Sequence, residues 1–303
     1  MPVLYLDLFL LGYHHVIATY TRLGFDSKSL IENRVLMFYL PPAVLLSVVV
    51  LALIGQVWVI ATIYLHWQWY HYTRQSEGVA KSIKFKSKSQ EIGPEKFNRF
   101  VFYLIPTACF ISMSSRQPET FLFMKVYTLP VPVLLADIIL GVTFIMFTLW
   151  LARQVKGLKN GQVKIGHLSY LLSHHLVYLV AYVLIVDVTV GWLAINIWHN
   201  LQYISFVWHF NTNKFRAGFN KSQPIISWLS QPHRASIYVG FCLIATFLFY
   251  SLVDLGISAI EPYTTLPLVV IAYQALNFHH YIADSVIWKL RKPEIHKNLE
   301  LQT

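Results

Sequence analysis

The chain has 303 residues, of which 56% are hydrophobic and 13% charged. Globular domains carry about 25% charged residues, so the composition excludes a disordered chain and an ordinary water-soluble fold. The formal net charge of +10 raises nucleic acid as a partner, but the placement of the basic residues argues against it. The two cysteines, Cys109 and Cys242, both lie in apolar runs. No disulfide framework and no Cys-based zinc site is readable from them. The first apolar run starts at once, carries Asp7 and lacks a basic leader, so no cleavable signal peptide is expected.

A spanning helix needs about 20 mostly apolar residues. Such stretches occur at 3–20, 35–54, 56–73, 99–115, 131–153, 167–186, 188–209, 236–256 and 266–289. The expected fold is therefore all-α: one integral-membrane domain over residues 1–303, a polytopic bundle of about nine spans. Two junctions must be tight, Ile54-Gly55-Gln56 and Asp187 to Gly191. Nine spans place loops 21–34, 74–98, 154–166, 210–235 and the C-terminal tail on one side. That side holds 22 of the 24 Lys and Arg residues, leaving only Arg116 and Lys125 opposite. The positive-inside rule makes the basic side cytoplasmic, with the N-terminus outside and the C-terminus inside. The charge is thus topology, and no nucleic-acid partner is expected. The expected location is a bacterial inner membrane.

There are 13 histidines. His167, His233 and His296 fall in cytoplasmic loops or at a span end. The other ten lie within expected spans: His14 and His15, His66 and His71, His174 and His175, His199 and His209, His279 and His280. With roughly 1.5 Å of rise per residue, all ten come at or below the midplane on the cytoplasmic side. Most acids of the spans, Asp7, Asp137, Asp187 and Asp254, sit in the outer half, whereas Asp284 lies in the histidine layer. Ionisable groups at such depth are costly and face a bundle interior, a cavity or a partner. Imidazoles converging from five helices have a common explanation in a metal ion, since neutral imidazole is the commonest metal ligand. An all-nitrogen site suits iron, copper or zinc.

The candidate metal ligands are His14, His15, His66, His71, His174, His175, His199, His279 and His280, with His15, His66, His175, His199 and His280 favoured. Adjacent pairs diverge by about 100° on a helix, so one member of each pair ligates and the other hydrogen-bonds, or the two serve different metals. Asp284 follows His280 by four residues on the same face, as a carboxylate ligand or as a group orienting an imidazole. Tyr203 and Gln202 accompany His199, and Tyr178 follows His175 at helical spacing. Asp284 and Tyr203 are read as catalytic. Tyr178, Gln202 and Arg74 are read as substrate-binding, Arg74 as a grip on a polar lipid head. Trp288-Lys289-Leu290-Arg291-Lys292 reads as an interface anchor, and Lys81 to Lys88 as a solvated loop.

This pattern resembles the histidine-rich integral-membrane non-haem iron oxygenases. His66-x4-His71 has the spacing of one desaturase box, while boxes of the H-x-x-H-H type are absent. The scattered constellation is more similar to the bacterial retinal-forming β-carotene dioxygenase family (Brp/Blh), with His14 or His15, His66 and a later pair as counterparts. The resemblance implies a mono- or dinuclear iron that activates O2 against a lipophilic small molecule of isoprenoid or carotenoid type. Membrane lipids and an electron donor are the further partners expected. The rival expectations are a metal-ion or proton transporter and a bis-histidine haem protein. Reporter fusions within 74–98 and within 116–125 are expected to report opposite membrane sides. A cytoplasmic signal from both would remove the nine-span topology.

Overall fold

The computed structural model describes residues 2–24, 27–289 and 292–300. The chain is all-α. Its helices are α1 Pro2–Asp7, α2 Tyr13–Leu23, α3 Ser27–Glu32, α4 Leu40–Gly55, α5 Val57–Ser87, α6 Glu95–Ser115, α7 Val133–Lys159, α8 Ile165–Leu179, α9 Val188–Lys214, α10 Pro224–Leu229, α11 Ala235–Ile260, α12 Leu268–Ile287 and α13 Pro293–Asn298. Wide π-helical turns at Leu8–Gly12, Val35–Tyr39 and Val180–Leu184 join or extend these helices.

Each stretch expected to span coincides with helix. Four segments, Val35–Gly55, Val133–Lys159, Ile165–Leu184 and Pro232–Tyr263, are long and apolar enough to cross a membrane. They also expose apolar side chains in bulk, such as Leu46, Ile54, Leu134, Phe144, Phe247 and Leu252. In water such belts would mark aggregation or docking surfaces, whereas against lipid they are the ordinary outer face of a bundle. The long helices α5, α9 and α12 also carry buried polar side chains, among them Gln68, His71, Asn196, His199, His280 and Asp284.

The tight junctions form as the sequence requires. Gln56 at φ +67° separates α4 from α5. Asp187 starts α9 by accepting the Val190 N–H at 2.9 Å, as an N-terminal cap does. One expected loop is different. Helix α5 continues to Ser87, well past the expected span end, because Glu77 pairs with Arg74 at 3.0 Å and Lys81 at 2.7 Å along one helix face. A short hairpin, β1 Thr120–Phe121 with β2 Met124–Lys125, lies in the 116–130 connection. Its turn residues Leu122 and Phe123 both have positive φ, without the Asn-Gly signal that announces such turns.

The chain forms two compact units. Unit 1 comprises Met1–Ile60 with His199–Thr303, and unit 2 comprises Ala61–Trp198. In unit 1, α12 packs on α2, α4 and α11, and α2 packs on α11. Ala18, Tyr203 and Val207 form a small core against Trp288. Ile295 and Leu299 tie the C-terminal segment to Phe210. In unit 2, α6 packs on α7 and α8.

Gly191 on α9 shows how close the packing in unit 2 is. A Cβ built there would lie 2.0 Å from the Ala181 carbonyl oxygen, a backbone atom that cannot swing aside. Gly191→Ala is expected to lower stability by about 1–3 kcal/mol or more, the cost of overpacking. The check is the thermal midpoint in detergent beside Gly166→Ala, whose new methyl would meet nothing within 4 Å. Equal midpoints for the two variants would contradict this packing.

Candidate metal centre

The centre lies within unit 1 and draws on α2, α9 and α12. His15 on α2, His199 at the start of the unit 1 part of α9, and His280 on α12 each offer a ring nitrogen, and these three atoms lie within 4.8 Å of one another. All three side chains are buried. His15 Nε2 and His280 Nε2 are 3.1 Å apart, with ring centroids 4.7 Å apart and planes crossed at 77°. The His15 and His199 rings meet edge to face at 5.4 Å.

A hydrogen-bond chain supports the ring of His280 from behind. His280 Nδ1 is 3.0 Å from Thr19 Oγ1. Thr19 Oγ1 is 2.6 Å from the Tyr203 hydroxyl. Tyr203 donates to Asp284 Oδ1 at 3.0 Å, and Trp288 Nε1 donates to the Tyr203 oxygen at 3.0 Å. Asp284 Oδ2 lies 3.6 Å from His280 Nε2. Helical geometry produces much of this. Residues 280, 284 and 288 follow one another at i+4 along α12, as do 15 and 19 on α2 and 199 and 203 on α9.

Two proton assignments fit this chain. With His280 protonated on Nδ1, its N–H goes to Thr19, the Thr19 hydroxyl goes to Tyr203, and the Tyr203 hydroxyl goes to Asp284. The Tyr203 oxygen then accepts from Thr19 and Trp288, and His280 Nε2 presents a bare lone pair toward His15. The opposite assignment reverses the Thr19–His280 bond and makes His280 Nε2 a donor to His15. The first arrangement is that of a metal ligand held by an outer hydrogen bond, and the second is a His–His hydrogen bond. Spacing bears on the choice. Two nitrogens on one ion at about 2.0–2.1 Å sit roughly 3 Å apart, as His15 Nε2 and His280 Nε2 do. The donor set, three imidazoles with a carboxylate beside one of them and no thiolate, fits a borderline transition metal.

The remaining expected residues are placed as follows. His279 has both nitrogens engaged, Nε2 with the Leu36 carbonyl at 2.7 Å and Nδ1 with the Tyr20 hydroxyl at 2.9 Å. His14 Nδ1 faces the Leu10 carbonyl at 3.3 Å. In these two adjacent pairs, His15 and His280 are the members that reach the cluster. Gln202 is half-buried. His66, His71, Arg74, His174, His175 and Tyr178 belong to unit 2. There His66 Nδ1 donates to the Thr62 carbonyl at 2.8 Å, and His174 stacks on Phe102 at 3.9 Å. Tyr178 bonds to Thr73 and to the Trp69 carbonyl, and Arg74 pairs with Glu77. Leu290 and Arg291 of the expected interface anchor lie outside the described residues. Two members of the centre were not singled out in the sequence. Thr19 is an ordinary threonine whose only signal is its i+4 relation to His15. Trp288, read as an interface anchor, turns its indole N–H to Tyr203. No family model, characterised protein or solved structure matches the chain.

Tyr203→Phe keeps the ring but removes the donor to Asp284 and the acceptor of Trp288. Leaving buried groups unpaired costs about 1–3 kcal/mol each. The variant is expected to melt measurably lower than wild type, with Trp288 fluorescence altered. A Trp288→Phe background should remove part of that loss, because the indole N–H no longer needs its acceptor. Additive losses in the double variant would show that the two groups are not coupled.

Proposed function

We propose that this protein is an integral-membrane metalloenzyme whose metal is held by His15, His199 and His280. The observation that carries the reading is the approach of two buried Nε2 atoms to 3.1 Å, with a third imidazole within ligand distance. Asp284 stands beside His280 and balances the charge of a cation, a role that matters in an apolar surround where an isolated carboxylate is costly. Iron is the metal proposed, with zinc and copper as alternatives, and the reaction class is oxygen-dependent oxidation or cleavage of a lipophilic, isoprenoid-like molecule. The bound metal would supply the open coordination position at which O2 or substrate is polarised.

The chain's own residues have defined parts in this reading. Thr19 fixes the tautomer and tilt of His280. Tyr203 holds Asp284 Oδ1 in place, leaving Oδ2 toward the imidazole. The apolar packing of Ala18, Val207 and Trp288 behind Tyr203 keeps water from this network. The rival haem reading fares worse on geometry. His15 Nε2 and His280 Nε2 at 3.1 Å leave no room for a planar macrocycle between them. The proposed location is a bacterial inner membrane, with nine spans and a cytoplasmic C-terminus.

Purified protein is expected to carry stoichiometric iron, or zinc or copper in its place, with no Soret band. His280→Ala and His199→Ala are expected to lose most of it, and His233→Ala none. Asp284→Asn, which keeps shape and loses charge, is expected to weaken retention by about 10–100-fold, the scale of an outer-ligand change. Metal-free wild-type protein after growth in metal-replete medium, or full loading in the His280→Ala variant, would overturn the assignment.

A further inference from the structure

Trp288 is a wall shared by two parts of unit 1. On its inner side the indole N–H donates to the Tyr203 hydroxyl at 3.0 Å, and Tyr203 in turn donates to Asp284 beside His280. On its outer side the ring meets Phe206 at 5.1 Å and Phe210 at 5.2 Å, the aromatic pair on which α13 sits. Ile295 and Leu299 follow one another at i+4 on one face of α13, and both are fully buried against Phe210. A continuous stack thus runs from the surface helix α13 through Phe210, Phe206 and Trp288 to Tyr203 and the candidate ligands.

The outer attachment of α13 is of another kind. Lys214 pairs with Glu294 at 3.3 Å and Arg216 with Glu300 at 2.7 Å, and Asn213 Nδ2 donates to the Asn298 carbonyl at 2.9 Å. These residues line a cavity of about 420 Å³ between the end of α9 and α13, walled by polar and charged side chains. Ion pairs open to water contribute little and weaken with salt, so Ile295 and Leu299 carry most of the docking. A helix of six residues is not stable in isolation. An element held by so few buried contacts opens far more readily than the whole fold. We propose that α13 is a gate on the metal centre. Seated, it holds Trp288 against Tyr203 and shuts the way to His15, His199 and His280. Lifted, it frees Trp288 and lets a divalent cation in or out. The gate rests on the reading of these three histidines as a metal site, and supplies the entry path that a buried site requires.

The test follows zinc(II), which a given set of ligands holds more tightly than iron(II). Zinc-loaded full-length protein in detergent is mixed with excess pyridylazoresorcinol to give the release rate, and metal-free protein is mixed with zinc to give the uptake rate. In the double variant Ile295→Ala, Leu299→Ala both rates are expected to rise about tenfold or more, the scale on which truncating two buried aliphatic side chains raises an open population. The zinc dissociation constant should stay as in wild type, because a gate acts equally on entry and exit. The double variant Glu294→Gln, Glu300→Gln alters only exposed carboxylates and so should fold as wild type does. Its two rates are expected to rise together by about two- to fivefold, the scale of exposed ion pairs. Lys297→Gln, on the opposite and exposed face of α13, should change neither rate. A brace, unlike a gate, would speed release alone and weaken binding. That outcome, or unchanged rates in both double variants, would overturn the gate and leave the metal site in place. Wild-type protein that takes up no zinc would remove the metal site and the gate with it.

Discussion

An imidazole nitrogen placed inside an apolar bundle must find a partner, and this requirement organises unit 1. Water cannot be relied on there, and an unpaired buried polar group costs several kcal/mol in hydrocarbon. His279 meets the requirement with a backbone carbonyl and a tyrosine hydroxyl. His280, one residue on and about 100° around the helix, meets it on one side with Thr19 and on the other with His15. The same helix thus carries a histidine satisfied by the fold and a histidine whose outer nitrogen faces another imidazole. Only the second has a lone pair to offer a cation.

The geometry of the centre then depends on how tightly that second ring is held. Thr19, Tyr203, Asp284 and Trp288 come from three helices and share a small set of protons. Moving one changes the bonds of the others, so the network acts as a unit and its members are not expected to contribute additively. Because α12 also packs on α4 and α11, the ring of His280 is fixed by helix packing as well as by hydrogen bonds. A ligand fixed before the ion arrives loses less freedom on binding.

The sequence shows the helical class plainly, because long apolar stretches admit little else, and the turns at Gln56 and Asp187 follow from stretches too long for one helix. It also shows that His280 and Asp284 share a face, since i+4 spacing is a property of any helix. The choice within pairs was not legible. His14 and His15 are chemically identical, and only the direction in which α2 meets α12 selects His15. Trp288 read as an interface residue because aromatic and basic residues at a span end ordinarily are. Its role depends on Tyr203 from another helix, 85 residues away in sequence. The helical extension to Ser87 was hidden for a related reason. Hydropathy registers the polar stretch after Arg74, but not that its charges pair along one helix face.

The two polar networks of the chain show how the identity of a buried acid's partners decides what it can do. Glu77 is surrounded by permanent cations, so its charge is locked. Asp284 has no Lys or Arg partner among the described residues. It accepts from a phenol, with the Thr19 hydroxyl 3.3 Å away and an imidazole near its second oxygen. Hydrogen bonds from neutral donors stabilise a carboxylate less than a fixed cation does. Under the proposed metal reading, a cation beside His280 would supply the opposite charge that Asp284 otherwise lacks. Such an ion would in turn hold the bare lone pairs of His15 and His280 apart from one another.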